Sequence, residues 1–216
     1  MMVVGLISSA QAQGDSSRKL VPLPDPEIRA SESLEGILKE RRSVRDFRAD
    51  SLTITAVGRL LWAAQGVTHP EGLRTAPSAG ALYPLEIYLA AGAVEQLEAG
   101  LYRYLPGKHA LEKIKNADLR KDLCNASLQQ SWIAKAPAVV VITAVYQRVT
   151  KKYGERGVRY AQIEAGAAAQ NIYLEATALG LGTTYVGAFD DDRVGDLLQV
   201  PAGEFPLAVM PVGKPR

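Results

Sequence analysis

Apolar residues recur at helical spacing in two segments near the start of the chain. They fall three and four positions apart in residues 33–42 and again in residues 53–66, and this period places them on one face of an amphipathic helix. Thr53 is a favourable N-cap for the second segment, and Gly66 is typical of a helix end. The pattern predicts two helices joined by a segment that contains several arginines.

Other segments have the composition of β-strands. Residues 85–91 are mainly apolar, and residues 101–105 and 110–114 flank a Pro-Gly-Lys-His sequence that is typical of a hairpin turn. Residues 138–143 are apolar or β-branched without interruption, as expected for a strand that is covered on both faces.

The longest predicted helix covers residues 160–179. Its apolar residues, many of them alanine, occur on all sides rather than on one face. A helix of this kind is normally buried, and we expect it to be central and to lie at a subunit interface. Gly180-Leu181-Gly182 ends it, and short strands are predicted at residues 183–187 and 207–212. Strands scattered among helices indicate the α+β fold class.

The composition narrows the range of functions. The chain has 216 residues, 47% of them hydrophobic and 22% charged, which suits one compact domain. Its net charge of +2 gives no global field for nucleic acid or an anionic membrane. No apolar run approaches the roughly 20 residues of a membrane-spanning helix. Cys124 is the single cysteine, and His69 and His109 are the two histidines, so neither an intrachain disulfide nor a structural metal site is expected.

The N-terminal region is expected to differ from the rest of the chain. Residues 1–14 combine a short apolar stretch with an Ala-Gln-Ala sequence typical of signal-peptide cleavage, although the usual preceding basic residues are missing. Export to the periplasm is one interpretation, and a cytoplasmic protein with an apolar N-terminus is the other. Residues 15–32 contain alternating prolines, which predict an extended arm. The folded domain is then expected to cover residues 33–216.

The candidate chemistry begins with the sequence Arg-Arg-Ser-Val-Arg-Asp-Phe at residues 41–47. Guanidinium groups are permanently charged, planar forks that bind phosphate well, and a neighbouring serine hydroxyl can add a donor. The same residues follow a predicted helix, where cations complement the carbonyl end of the helix dipole. On this motif alone, an anion site and a solvated helix end are equally good interpretations.

Three later segments could form further walls of a ligand site. Residues 76–84 place small side chains and a serine between prolines, which would let a flat ligand lie against the backbone. Residues 185–190 run from a strand into a turn, and no large side chain covers the amides of Gly187 and Ala188. The C-terminal residues 213–216 are cationic. Each segment is also compatible with an ordinary loop or a solvated tail.

Together, these segments have the order and spacing of the FMN-dependent nitroreductase family. The resemblance is best to its SagB-type branch, which is related to thiazoline and oxazoline oxidases. It covers residues 34–214 and includes Pro-Ser-Ala-Gly-Ala-Leu-Tyr-Pro at 77–84, the helix residues 164–171 and Gly-Leu-Gly at 180–182. The resemblance implies a nitroreductase-like fold with a central mixed sheet flanked by helices. It also implies an intertwined homodimer, with the long buried helix at its interface and flavin sites built from both chains.

The resemblance implies roles for the arginine segment. Arg41 and Ser43 would bind the FMN phosphate. Arg42 would lie over the ribityl and pyrimidine edge of the cofactor, and Arg45 would be the cation near N1 and O2 of the isoalloxazine. Positive charge at that edge would stabilise the anionic reduced flavin.

The same resemblance implies further cofactor contacts. The backbone N–H of Gly187 would face flavin N5, and that of Ala188 would face O4. The remaining implied contacts are Pro77, Ser78, Ala79 and Gly80 beside the ring, Val186 in the strand, and Lys214 and Arg216 near the phosphate.

Two positions depart from the family pattern. Ala81 stands where many members have an Asn that touches the flavin, and Gly187 replaces a residue that is often acidic. Both differences leave flavin binding through the backbone intact, but they make the substrate harder to predict.

The implied activity is that of an FMN-dependent oxidoreductase. It would transfer hydride or electrons through flavin N5 from NAD(P)H to a nitroaromatic, a quinone or a similar acceptor. The reactive atom belongs to the flavin, so the chain would contribute mainly the backbone of Gly187 and Ala188, with Tyr83 as a side-chain candidate.

Two other hypotheses remain open. A SagB-type dehydrogenase would oxidise a heterocycle such as an azoline and would need a base, for which the candidates are Tyr83, Tyr102, Lys135, Tyr153 and Tyr160. A flavin-binding protein without turnover would have the same phosphate-binding sequences. A nucleic-acid-binding module is disfavoured, because aromatic residues are not interleaved with the arginines.

Overall fold

The computed structural model describes residues 19–25 and 33–216, which form one antiparallel sheet with helices against both faces. The predicted signal peptide, residues 1–14, lies outside the described residues, as does most of the predicted arm. The strands are β1 (Leu20–Pro22), β2 (Leu85–Ala91), β3 (Gly100–Leu105), β4 (Ala110–Lys115), β5 (Ala138–Val145), β6 (Gly182–Thr183) and β7 (Glu204–Gly213). The helices are α1 (Leu34–Glu40), α2 (Ile54–Gln65), α3 (Arg120–Ala126), α4 (Trp132–Lys135), α5 (Gln147–Tyr153), α6 (Arg156–Ala178) and α7 (Asp191–Leu198).

The strand order is β1-β4-β3-β2-β5-β7-β6. The expected α+β fold class is confirmed, but the expectation of a mixed sheet was wrong, because all strand pairs in the described part of the chain are antiparallel. The strands β2, β3 and β4 follow one another through short connections, and such connections reverse the chain direction between neighbouring strands. Parallel pairing occurs in isolated bridges, one of which joins Ser43 to Thr183.

The β5 strand shows how the sheet separates two apolar layers. Val140 and Ile142 pack in the layer that contains α2 and α6. Val139 and Val141 point the other way, into the layer that contains α3, α4 and α7. The prediction of a strand covered on both faces is therefore confirmed, and β5 forms the centre of the core.

The first two helices begin where their capping residues predict. The Ser33 hydroxyl accepts the N–H of Gly36 at 3.1 Å, and the Thr53 hydroxyl accepts the N–H of Ala56 at 3.1 Å. The α1 helix ends at Glu40, two residues before the predicted end, because the backbone of Arg41 turns to an extended conformation with ψ at 121°. The arginine segment is thus not helical, and its side chains are free to follow the edge of the sheet.

The α6 helix begins one turn earlier than predicted and passes between the sheet and solvent. One face is buried by alanines and by Ile172 against α2, α5 and the sheet. The opposite face is open in the single chain, where Ile163 is 60% exposed and Gly166 is also exposed. The prediction of burial on all sides therefore holds for only one face of the isolated chain.

Candidate functional site

The arginine segment lies directly beside the short strand β6. Ser43 pairs with Thr183 in a parallel bridge, and the Val44 N–H donates to the Thr183 carbonyl at 2.9 Å. Val44 also packs over Gly182, where a Cβ atom would lie 2.5 Å from the Val44 Cγ2. Glycine at this position is what allows the two segments to come this close.

Tyr173, on the buried face of α6, joins several of these groups. Its hydroxyl lies 3.0 Å from the Ser43 Oγ and accepts the backbone N–H of Tyr185 at 2.7 Å. The Arg41 guanidinium carbon lies 5.1 Å from the centre of its ring, which is cation–π distance. A single side chain therefore contacts the predicted phosphate ligands and the segment that leads to Gly187.

The other two arginines of the segment have different surroundings. Arg42 turns back and donates from Nη1 to the carbonyls of Lys39 at 2.7 Å and Arg41 at 2.8 Å. Arg42 thus complements the carbonyl end of α1, which was one of the two interpretations of the arginine segment from sequence. Arg45 lies over Trp132, with its guanidinium carbon 5.9 Å from the ring centre.

Arg41 and Arg45 keep their charges available. In residues 19–25 and 33–216, neither guanidinium forms an ion pair with a carboxylate. Beside them, the hydroxyls of Thr183 and Thr184 are buried without a hydrogen-bond partner in the described structure. Guanidinium groups without a carboxylate partner are favourable partners for an anion.

The Pro77–Tyr83 loop is held in shape by its own serine and by α6. The Ser78 hydroxyl accepts the N–H of Tyr83 at 2.9 Å, and a carboxylate oxygen of Glu164 accepts the N–H of Ala79 at 2.8 Å. Gly80 has a φ of 62°, and Ala81 and Tyr83 also have positive φ values, of 53° and 46°. Non-glycine residues in this region are strained, which is common where a loop shapes a binding site.

The helix motif 164–171 that carried part of the family resemblance supports this loop. Glu164, only 6% exposed, binds Ala79, and the Asn171 amide donates to the carbonyls of Ala63 and Thr75 at 3.0 and 3.3 Å. The polar residues of this motif therefore fix both the Pro77–Tyr83 loop and the end of α2 that precedes the loop.

A cavity of about 310 Å³ lies between this loop and the open face of α6. It is lined by Pro77, Ser78, Ala79, Tyr160, Ile163, Glu164 and Ala167. Three of the predicted contacts thus border one cavity, with a buried carboxylate in its wall.

The C-terminal end of α5 lies over the loop at Gly80. A Cβ atom at Gly80 would be 2.7 Å from the Tyr153 hydroxyl and 2.9 Å from the Lys152 ammonium. Tyr153 packs edge-on against Tyr160 at 5.3 Å between ring centres. Of the candidate bases, Tyr160 lines the cavity, Tyr153 lies over the loop, and Tyr83 belongs to the loop itself.

The remaining candidate bases have other partners. The Tyr102 hydroxyl donates to the Glu98 carbonyl at 2.8 Å, and Lys135 lines a separate small cavity beside Arg48. The Tyr83 ring packs under the Arg74 guanidinium at 4.4 Å. Burial lowers the pKa of Arg74 from its usual range, although the group remains a cation at neutral pH.

The segment after β6 presents the two predicted backbone donors. The strand predicted over residues 183–187 is present only as β6 and a single bridge, in which Val186 pairs with Val209 and anchors the segment to β7. The amides of Gly187 and Ala188, which follow, have no acceptor among the residues that the structure describes. Burial raises the pKa of Tyr185, whose hydroxyl donates to the Leu207 carbonyl, so this phenol stays neutral and fixes the segment on its other side.

The C-terminal residues run beside the arginine segment, but their charges are directed elsewhere. The Arg48 N–H donates to the Lys214 carbonyl at 2.9 Å, and the Arg216 N–H donates to the Asp46 carbonyl at 3.2 Å. The Lys214 ammonium lies 3.3 Å from the Asp50 carboxylate, which Arg48 also contacts at 3.2 Å. The predicted proximity to the cluster is present, whereas the Lys214 charge is already balanced.

Sequence reasoning missed three residues of this region. These are Tyr173, Lys152 and Glu164. No local sequence pattern marks them as site residues, because each contacts a segment that is distant in sequence. Glu164 stood within a motif that supported the resemblance, and that was the one available signal.

Two further searches of the described chain bear on function. No helix there is long and apolar enough to cross a membrane. No group of three or more His, Cys, Asp or Glu residues in the same part of the chain is arranged to hold a metal ion.

Comparison with known proteins identifies the class. The model of the nitroreductase family matches residues 38–214, and the chain belongs to this family of oxidoreductases. The chain is 45% identical over 194 residues to a Methanocaldococcus jannaschii protein whose name assigns it provisionally to the nitroreductases, and the match covers 90% of this chain and 96% of that one.

Two other relatives extend the comparison. A crystal structure of a Ralstonia eutropha protein, provisionally named a nitroreductase, superposes with a TM-score of 0.81 at 30% identity over 94% of this chain and 92% of that one. The microcin B17-processing protein McbC of Escherichia coli is 29% identical over 159 residues, which are 70% of this chain and 58% of McbC. The suspected relation to the SagB-type branch is consistent with the McbC match.

Proposed function

We propose that the protein binds FMN and uses it to transfer electrons from NAD(P)H to a small acceptor such as a nitroaromatic or a quinone. The observation that carries the proposal is the junction at Tyr173, where the arginine segment and the 185–188 segment meet. This junction brings an anion-binding edge next to unpaired backbone donors, and FMN has both a phosphate and an electron-rich ring.

The chemistry of the donor set fits FMN. Arg41 and Ser43 offer a charge and a hydroxyl for the phosphate, and the unpartnered amides of Gly187 and Ala188 suit the polar edge of a flavin ring. Small residues in the 76–84 loop leave room for a flat ring system. When bound, FMN supplies the redox chemistry of the reaction.

The chain's own contribution is binding, orientation and charge. Arg45, which has no carboxylate partner in the described residues, supplies a cation that favours negative charge on a nearby ligand. Glu164 fixes the loop through Ala79 and so holds that wall of the cavity in one conformation. Groups that are already held in place need not rearrange when charge develops on a ligand during the reaction.

We further propose that the working protein is a homodimer that pairs through the open face of α6. Ile163 is largely exposed there, Gly166 permits close approach of another backbone, and both lie next to the cavity. A second chain would cover this apolar face and close the cavity. Sedimentation of flavin-bound protein should show a dimer, and a flavin-bound monomer would contradict the proposal.

A second function is favoured by the end of α5 that lies over Gly80. Lys152 and Tyr153 place an ammonium and a phenol above the loop, and either could move a proton if the substrate were a heterocycle to be oxidised. The match to McbC supports this version, in which the substrate is a dedicated one.

Steady-state oxidation of NADH and NADPH by the FMN-loaded protein tests the first proposal. Turnover with nitroaromatic or quinone acceptors is the expected result. Absence of turnover with all of them, while FMN stays bound, would favour the dedicated dehydrogenase or a flavin-binding protein without turnover. Formation of an azole from an azoline substrate, lost in Tyr153→Phe, would then identify the dehydrogenase.

A further inference from the structure

The hydroxyl of Tyr173 has one partner from each wall of the site. Tyr185 donates its backbone N–H to this oxygen at 2.7 Å, and Ser43 lies 3.0 Å away on the other side. The side chain is 9% exposed, so water does not compete freely for these contacts. The partners are separated by 130 and 12 positions from Tyr173 in sequence, and no other described side chain bridges them.

The Tyr185 N–H can only donate, so the Tyr173 oxygen accepts there. The Tyr173 hydrogen is available to donate to the Ser43 Oγ, and either oxygen of that pair can be the donor. When Tyr173 donates, the Ser43 hydroxyl hydrogen is free to donate to a third group. An anion beside Arg41 is the natural acceptor, since a charge-assisted hydrogen bond is stronger than a neutral one.

We propose that Tyr173 is a positioning residue that turns the Ser43 hydroxyl toward the phosphate of the ligand and fixes that phosphate site relative to the amides at Gly187 and Ala188. The inference rests on the proposed function, because it concerns how the proposed FMN site is built. Tyr173 acts in two ways: its hydroxyl orients Ser43 and the Tyr185 segment, and its ring supports Arg41.

A comparison of FMN with riboflavin isolates the effect on the phosphate end. The two ligands share the ring and the ribityl chain, and riboflavin lacks the phosphate. The Tyr173→Phe variant keeps the ring under Arg41 and removes only the hydroxyl. We expect the ratio of FMN to riboflavin affinity to fall about tenfold, the effect of one hydrogen bond to a charged group.

Tyr102→Phe is the matched control. Tyr102 is also buried and also donates its hydroxyl, to the Glu98 carbonyl, but it lies on the sheet away from the arginine segment. This variant should lower the melting temperature without changing the affinity ratio. An unchanged ratio in Tyr173→Phe, as in the control, would overturn the inference and reduce Tyr173 to a core residue.

A double-mutant cycle with Ser43→Ala tests whether Tyr173 acts through Ser43. With Ser43 removed, Tyr173→Phe should change the ratio of FMN to riboflavin affinity by no more than about twofold, because the group that it orients toward the phosphate is gone. Strictly additive losses would contradict the proposed route. Both ligands are measured on the same preparation, so a partly unfolded fraction reduces both capacities and cancels in the ratio.

Hydrogen exchange in the wild-type protein tests the same coupling and does not depend on whether a variant folds. Inorganic phosphate bound beside Arg41 should slow hydrogen exchange of the Tyr185 amide, since Tyr173 connects the two. Phosphate binding that leaves this amide unchanged would overturn the coupling. Failure of the wild-type protein to bind FMN at all is a different result, and it would remove the proposed function itself.

Discussion

Arg41 and Arg48 lie in the same extended segment, yet their surroundings differ. Arg41 rests on the Tyr173 ring beside buried unpaired hydroxyls and has no carboxylate partner in the described chain. Arg48 shares the Asp50 carboxylate with Lys214. The difference lies in the local balance of charge: Arg48 shares a carboxylate, whereas the Arg41 charge is left for a ligand to pair with.

The largest effect that this comparison predicts is at Arg41. Replacing Arg41 with Ala removes an unpaired cation, and FMN affinity should fall by roughly 10- to 100-fold, because hydrogen bonds to charged groups are among the strongest in proteins. Titration of the apoprotein with FMN, followed by flavin fluorescence, measures the change.

Arg48→Ala is the matched control for that variant. Its guanidinium is 59% exposed and paired with Asp50, so FMN affinity should change by about twofold or less. Equal losses at the two positions would show that FMN responds to general charge and not to a site at Arg41.

Removing the carboxylate that pairs with Arg48 tests the same comparison and should have a smaller effect. Asp50→Asn should release Arg48 and Lys214 and raise the affinity for FMN and for inorganic phosphate alike, by about threefold at low salt. The gain should disappear at high ionic strength, since these groups are exposed. A gain for FMN alone would mean that Lys214 reaches the cofactor.

A similarly small effect is predicted at Arg42. Because its guanidinium is bound to the carbonyls at the end of α1, Arg42→Ala should cost the helix about 0.5 kcal/mol and change FMN affinity by about threefold or less. Chemical denaturation and flavin titration separate the two effects. A loss of affinity as large as that at Arg41 would show that Arg42 leaves the helix end to bind the ligand.

Much of the fold could be predicted from periodicity. The bounds of β2 match the prediction of 85–91, and β5 continues only two residues beyond the predicted 138–143. These strands are apolar without interruption and lie at the centre of the sheet, where burial and propensity favour the same structure. The hairpin of β3 and β4 was likewise predicted by its turn sequence.

The elements that were missed are short or polar. The α7 helix contains several acidic residues, and its one clear signal is Asp190, whose carboxylate caps the N–H of Arg193 at 3.0 Å. The sheet was expected to be mixed because the family resemblance implied it. Strand direction depends on the path of the connections, which composition does not reveal.

The candidate site was predicted as a set of segments and not as a geometry. The resemblance brought the 41–47, 76–84 and 185–190 segments together as one site, and the structure places Ser43 and Tyr185 on a common partner. Tyr173 could not be found in advance, because its hydroxyl contacts Ser43, 130 positions away. A tyrosine among alanines on a helix predicts burial and gives no indication of its partners.

The central claim is that this chain holds FMN at the edge formed by Arg41, Ser43 and the 185–188 segment. Purified protein, incubated with FMN and freed of excess ligand by gel filtration, tests it most directly through its absorption spectrum. The account predicts a yellow protein that retains stoichiometric FMN with an oxidised-flavin spectrum. A protein that remains colourless after this treatment would contradict it.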